Sequence, residues 1–231
     1  MKNILTTLLA SLFFLTGFCQ KSKQLYDVHA REIRPLTKEV ISKAKTLGDL
    51  ILGYPDHWIS TYLSVEVTSV YAGKTIKAMG PTDVLTAEQK EMLNASNMGA
   101  EVTVNVNYKY DNLASNQTET NDIHVVMTVV PETQAEFIGG HIEMNKYLKN
   151  VSSKISNSAP ENLKDGAVAF TVNEEGAIIN TKVTATSGDP KTDKLFLEAI
   201  SKMPNWKPAQ NSKGVKVKQD FTFSLGNAGG C

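Results

Sequence analysis

The sequence predicts an α+β chain: a small β-rich domain, then a two-layer domain of three antiparallel strands and two helices. Three observations lead there. From Ser60 the pattern alternates with period two, Leu63, Val65, Val67 and Ser69 facing away from Tyr62, Ser64, Glu66, Thr68 and Val70. Beyond 131–135 the order becomes helix, strand, strand, helix, strand. Between them, Pro131 to Ala135 breaks both patterns and marks a domain boundary.

The first residues read as an address. Lys2 gives a positive start, residues 4–18 are an almost unbroken apolar run, and Gly17 and Cys19 are the small residues signal peptidase prefers around Phe18. A signal peptide is expected over 1–19, cleaved between Cys19 and Gln20, which places the mature protein in the periplasm. The run is shorter than the ~20 residues that span a bilayer. The competing reading, a lipoprotein anchored at Cys19, is disfavoured by the bulk of Phe18. Residues 20–58 are expected to be a linker with one helix over 37–52, where Val40, Ile41, Ala44, Leu47 and Ile51 recur near helical spacing.

The β-rich domain is expected over 59–133. Ala72-Gly73 reads as a turn between the first strand and a second over 74–79. Thr86 and Gln89 have the capping-box spacing, so a short helix starts there and ends near Asn97 and Gly99. Two strands follow, one alternating Val102, Val104, Val106 and Tyr108, the other over 123–130. The Asn-, Thr- and Ser-rich stretch between them, 111–122, reads as an exposed hairpin loop. In the second domain, 134–231, a helix over 142–148 precedes strands over 165–172 and 178–186, turned by Gly176. A helix over 194–203 carries Leu195, Phe196, Ala199 and Ile200 on one stripe. A last strand alternates Val215, Val217, Phe221, Phe223 and Leu225.

Composition bounds the function. The 231 residues are 41% hydrophobic and 21% charged, with 24 cationic and 24 acidic side chains. That balance provides no basic face for nucleic acid. Once Cys19 leaves with the signal peptide, Cys231 has no disulfide partner and sits on a glycine tail unsuited to a nucleophile. His29, His57, His124 and His141 show no metal-ligand spacing, and no nucleophile elbow, phosphate loop or dinucleotide fingerprint occurs. No catalytic residue, metal or cofactor is expected, and the chain is read as a binding protein rather than an enzyme.

Four stretches together resemble the TonB C-terminal domain: Phe137-Ile138-Gly139-Gly140 with Tyr147-Leu148-Lys149; residues 166–172 with Glu175-Gly176; Met203-Pro204-Asn205-Trp206-Lys207-Pro208-Ala209; and Gly214-Val215-Lys216-Val217 through Phe223. The resemblance covers residues 137–225. Two departures stand out: Ile138 where the family has proline, and Asn157-Ser158-Ala159-Pro160 where it has a Tyr-Pro pair. Residues 60–131 also resemble the C-terminal module of the gliding-motility protein GldM.

The first resemblance implies a periplasmic module in a transport system that binds an extended peptide of an outer-membrane TonB-dependent receptor, or of another envelope protein, by adding it to a sheet edge. Physics points to the same class, since an unpaired edge presents free amides and carbonyls to an extended chain. The matching edge is the last strand, so Val215, Lys216, Val217, Lys218, Gln219, Phe221 and Phe223 are the expected contact residues, with Trp206 beside them. Lys213, Lys216 and Lys218 either attract the partner or blunt the edge against aggregation. Lacking the family's transmembrane helix and proline-rich spacer, the module would need an inner-membrane anchor protein in trans to transduce energy. A second copy of the chain is kept among the partners. The alternative function is a periplasmic structural or assembly subunit acting through the β-rich domain.

Overall fold

A computed structural model describes residues 24–228; the expected signal peptide over 1–19 and Cys231 lie outside the described residues. The chain is mixed α+β, with two separate hydrophobic cores.

The first core is organised by alternating valines. Strands β1 (Tyr26–Ala30) and β2 (Pro35–Thr37) come first, then helices α1 (Lys38–Lys43) and α2 (Leu47–Leu50), and strands β3 (Thr61–Tyr71) and β4 (Lys74–Gly80). Helix α3 (Ala87–Ala95) is followed by β5 (Glu101–Asn112) and β6 (Gln117–Val130). Five strands form one sheet in the order β2-β6-β5-β3-β4, with β2 parallel to β6 and the other pairs antiparallel. Val65, Val67, Val102, Val104 and Val106 are wholly buried on one face. Each contributes ~1.5–3 kcal/mol by leaving water. The β3–β4 connection is the two-residue Ala72-Gly73, with φ of 49° and 78°. Positive φ at both positions is what a hairpin turn matched to strand twist requires, and glycine adopts it without strain.

The expected capping box of α3 is present: Gln89 N donates to Thr86 Oγ1 (3.2 Å) and Thr86 N to Gln89 Oε1 (2.9 Å). At the other end, Lys38 Nζ donates to Asn94 O (2.8 Å) and to Ser96 O. A cation there complements the helix carbonyls. Burial holds the Lys38 pKa below the usual lysine range, opposed by Glu132.

Two expectations are corrected here. The helix over 37–52 is two short helices, because Lys45 and Thr46 pair with the 83–85 segment: Leu47 N donates to Asp83 O (2.8 Å) and Leu85 N to Lys45 O (2.9 Å). The loop over 111–122 is mostly a paired ribbon. β5 and β6 stay in register to Asn112↔Gln117, tied by Thr118 Oγ1–Asp111 Oδ1 (2.8 Å) and Tyr110 Oη–Glu119 Oε2 (2.8 Å). Both faces of that ribbon are wet, so its composition is that of a loop.

The second core lies under a four-stranded sheet. After β7 (Glu136–Phe137) come α4 (Gly140–Ser158), β8 (Gly166–Val172), β9 (Ile178–Ala185) and α5 (Pro190–Ser201). Short strands β10 (Trp206–Lys207), β11 (Ala209–Gln210) and β12 (Lys216–Val217) lead to β13 (Gln219–Asn227). The sheet order is β1-β13-β8-β9, all antiparallel. Two expectations change. The last strand is broken at Lys218, because Lys216 and Val217 turn aside to pair with Gln210 and Ala209. The segment 20–58 is not a linker: Tyr26 and Val28 belong to the second core, whereas Leu36, Ile41 and Leu47 belong to the first.

Helix α5 starts where Asp189 Oδ2 accepts from Thr192 N (2.9 Å) and Thr192 Oγ1 (2.7 Å), with Pro190 at the first helical position. These bonds favour the ionised carboxyl and hold its pKa below the usual range. A depressed carboxyl pKa stabilises the fold above the unfolded value and loses that effect as pH falls through the folded value. We expect Asp189→Ala to lower the melting temperature at pH 7 and progressively less below about pH 4. Thermal scans across that window check it; a deficit independent of pH would contradict it.

Candidate functional site

The edge expected to receive a partner is already filled. β1 lies along β13 in the register Tyr26↔Asn227 through Ala30↔Phe223. Tyr26 and Val28 are buried in the core behind it. The outward side of β1 is sealed in turn by α4. Tyr26 N donates to Ser156 Oγ (2.9 Å), and Ser156 Oγ donates back to Tyr26 O (3.3 Å). Val28 N donates to Ser152 Oγ (2.9 Å). One serine hydroxyl thus satisfies both outward backbone groups of Tyr26, as a neighbouring strand would. At the opposite end of the sheet, β9 slips register twice against β8 and holds Asn180 at φ 55°. Bulges of this kind twist an edge away from further pairing.

The expected contact residues divide accordingly. Trp206 is buried, edge-on to Phe137 (5.7 Å) and packed on Phe221 (5.0 Å), with its indole N–H unpartnered. It braces the core and is not free to touch a partner. Phe223 is buried under the sheet. Gln219 is also buried: its Oε1 accepts from Ala135 N (2.8 Å) and its Nε2 donates to Gln134 Oε1 (3.2 Å), fastening the interdomain segment. Val215 and Lys216 are exposed but stand on the separate β11–β12 hairpin, with Val217 half-buried there. Lys218 and Phe221, together with the largely buried Gln219, line a concave surface.

That surface is a cleft of about 970 Å³ between the two domains. One wall is the outer face of the second sheet. The other carries Tyr71, Met98, Glu101 and Val126 of the first domain, and Arg31 to Arg34 cross between them. The domains approach closely at Gly99, where a Cβ would stand 3.2 Å from Asp220 Oδ2. Asp220 is itself held by Thr171 Oγ1 (2.6 Å). The register places Arg31, Thr222, Ala169 and Lys182 in one row across the sheet: Arg31 N donates to Thr222 O (2.9 Å), Thr222 faces Ala169, and Ala169 faces Lys182.

Compared with family models, curated proteins and solved structures, the chain matches none. The chemistry is therefore read from its own groups. Arg31, Arg34, Lys182 and Lys218 line the cleft, and none makes an ion pair among the described residues. Among the described residues no group of three His, Cys, Asp or Glu side chains is placed to hold a metal ion. His57 lies 3.5 Å from Asp56 with both side chains exposed, and His124 Nδ1 meets Asn105 Oδ1 at 2.6 Å. No helix among the described residues is long and apolar enough to cross a membrane.

Sequence reasoning missed Arg31, Arg34 and Lys182, and it missed Ser152 and Ser156. The alternation Tyr26, Val28, Ala30 was the available signal for β1, but five residues within a polar stretch carry little weight.

Proposed function

We propose that this protein is a noncatalytic interaction module of the cell envelope, as its resemblance to TonB C-terminal domains implies. It receives an extended segment of a partner, an outer-membrane receptor or another envelope protein, in the cleft between its two domains. The observation that carries this reading is the contrast between edge and cleft. β13 is covered by β1, and β1 by Ser152 and Ser156, whereas the cleft is open, about 970 Å³ in volume and lined by unpaired charges. Concave surfaces of that size with a few convergent polar groups are where binding is ordinarily found.

A second reading, an assembly subunit acting through the first domain, is favoured by β4. This strand ends the five-stranded sheet in unbroken register with β3 and leaves Ile76 and Met79 about half exposed (47% and 50%). Such an edge invites pairing with another chain, although Lys74 and Lys77 blunt it.

Photo-crosslinking in cells separates the two. A benzophenone side chain is placed at Thr222 in the cleft, at Thr75 on β4, or at Lys154 on α4. The cleft reading expects a discrete envelope adduct from Thr222 and none from Lys154. An adduct from Thr75 alone would move the site to the first domain. Equal labelling at Thr222 and Lys154, or labelling at none, would refute the cleft.

A further inference from the structure

We propose that the segment received in the cleft is an acidic extended peptide, its carboxylates held by Arg31 and Lys182 from the two ends of one row of the second sheet. The proposal rests on the reading of the cleft as the receiving surface. Strands lie ~4.8 Å apart, so three steps separate the backbones of Arg31 and Lys182 by ~14 Å. Between them the row holds only Thr222 and Ala169. Small side chains there leave a floor on which a peptide backbone can lie, with a cation at either side. Arg34 and Lys218 add two more cations to the same cleft. Arginine suits the task because its planar fork bonds a carboxylate through two parallel N–H groups.

The remaining charges narrow the ligand class. Glu32, Glu101 and Asp220 also line the cleft, so four cations against three carboxylates leave one net positive charge. A continuous polyanion such as nucleic acid would meet those carboxylates at every few ångströms. A peptide with spaced carboxylates avoids them, and its backbone amides can face Glu32 and Glu101. Asp220 is engaged by the Thr171 hydroxyl and stands on the neighbouring row, Asp220↔Thr171. The opposite wall offers Tyr71 and Met98, with Ile33 of the connection 42% exposed, as apolar contacts for intervening side chains.

The test measures fluorescence anisotropy of a labelled peptide alternating glutamate and serine, its glutamine counterpart and its lysine counterpart, against the full chain. We expect the glutamate peptide to bind, the glutamine peptide to bind at least about tenfold more weakly, and salt at ~0.5 M to weaken the former. The pair Arg31→Glu and Lys182→Glu should weaken the glutamate peptide by about tenfold or more and transfer binding to the lysine peptide. Lys154→Glu on α4 should change neither. Circular dichroism confirms that each variant keeps the fold. The proposal is overturned if the glutamate and glutamine peptides bind alike, if neither binds, or if the folded double variant binds the glutamate peptide as the parent does. Crosslinking from Thr222 together with such a result would leave the cleft as the site and remove only the acidic chemistry; loss of both would remove the site.

Discussion

Gly176→Ala should lower the melting temperature of the full chain by about 10 °C. Gly176 sits at the β8–β9 turn with φ 82°, where an L side chain is strained. A Cβ there would lie 1.9 Å from the carbonyl oxygen of Trp206 and 3.0 Å from its carbon. The obstruction is backbone, so no side-chain rotation relieves it. The contact is also bonded, since Trp206 N donates to Gly176 O at 2.7 Å. Strain of ~1–2 kcal/mol for the left-handed residue and ~1–3 kcal/mol for overpacking add to about 2–5 kcal/mol. At ~2–4 °C per kcal/mol for a chain of this size, the shift follows. Because Trp206 anchors the Phe137, Phe170 and Phe221 rings, its emission should move to longer wavelength. Trp58 is 66% exposed, so fluorescence is best read in a Trp58→Phe background. A shift under 2 °C, with unchanged emission, would mean that the turn and the Trp206 strand separate easily.

Ser152→Ala together with Ser156→Ala should destabilise the second domain by about 1–5 kcal/mol and release β1. The two hydroxyls are the outward acceptors for Val28 N and Tyr26 N, and both serines are buried. Removing an acceptor strands a buried amide at a cost of ~1–3 kcal/mol each. The better helix propensity of alanine returns ~0.5 kcal/mol per site. Amide hydrogen exchange should rise first over 26–30 and only later in β8, because the double variant leaves β1 held by β13 alone whereas β8 keeps both neighbours, β13 and β9. Ser153→Ala, one residue away and exposed, serves as the control. Unchanged exchange over 26–30 in the double variant would show that pairing with β13 alone holds the strand.

Much of the architecture was legible in the chain. The valine alternation of β3 and β5, the Thr86–Gln89 capping box, the turn at Ala72-Gly73 and the stripe of α5 each act within a few residues. Local geometry links them directly to sequence: period two for strands, reciprocal amide capping at a helix start, positive φ in a two-residue turn. Boundaries were less legible where composition and pairing disagree, as in the polar ribbon of 111–122, and where a distant segment intervenes, as Asp83 and Leu85 do at Lys45 to Leu47. For the site, Lys218, Gln219 and Phe221 of the expected residues line the cleft, while Trp206 and Phe223 are buried away from it.

By itself, the sequence determined the α+β class, the strand-rich first half, the helix–strand order of the second and the faces that are apolar. Only the tertiary structure decided which strand lies at a sheet edge. Alternation in 215–225 says that one face is buried; it does not say what hydrogen-bonds to either side. Those partners, Tyr26 to Ala30 on one flank and Gly166 to Val172 on the other, come from positions far away along the chain. Backbone amides are alike at every residue, so nothing in the strand's own side chains names its neighbour. The same holds for the cleft. Arg31 and Lys182 are unremarkable surface cations in sequence, and they become ends of one row only through the registers of β13, β8 and β9.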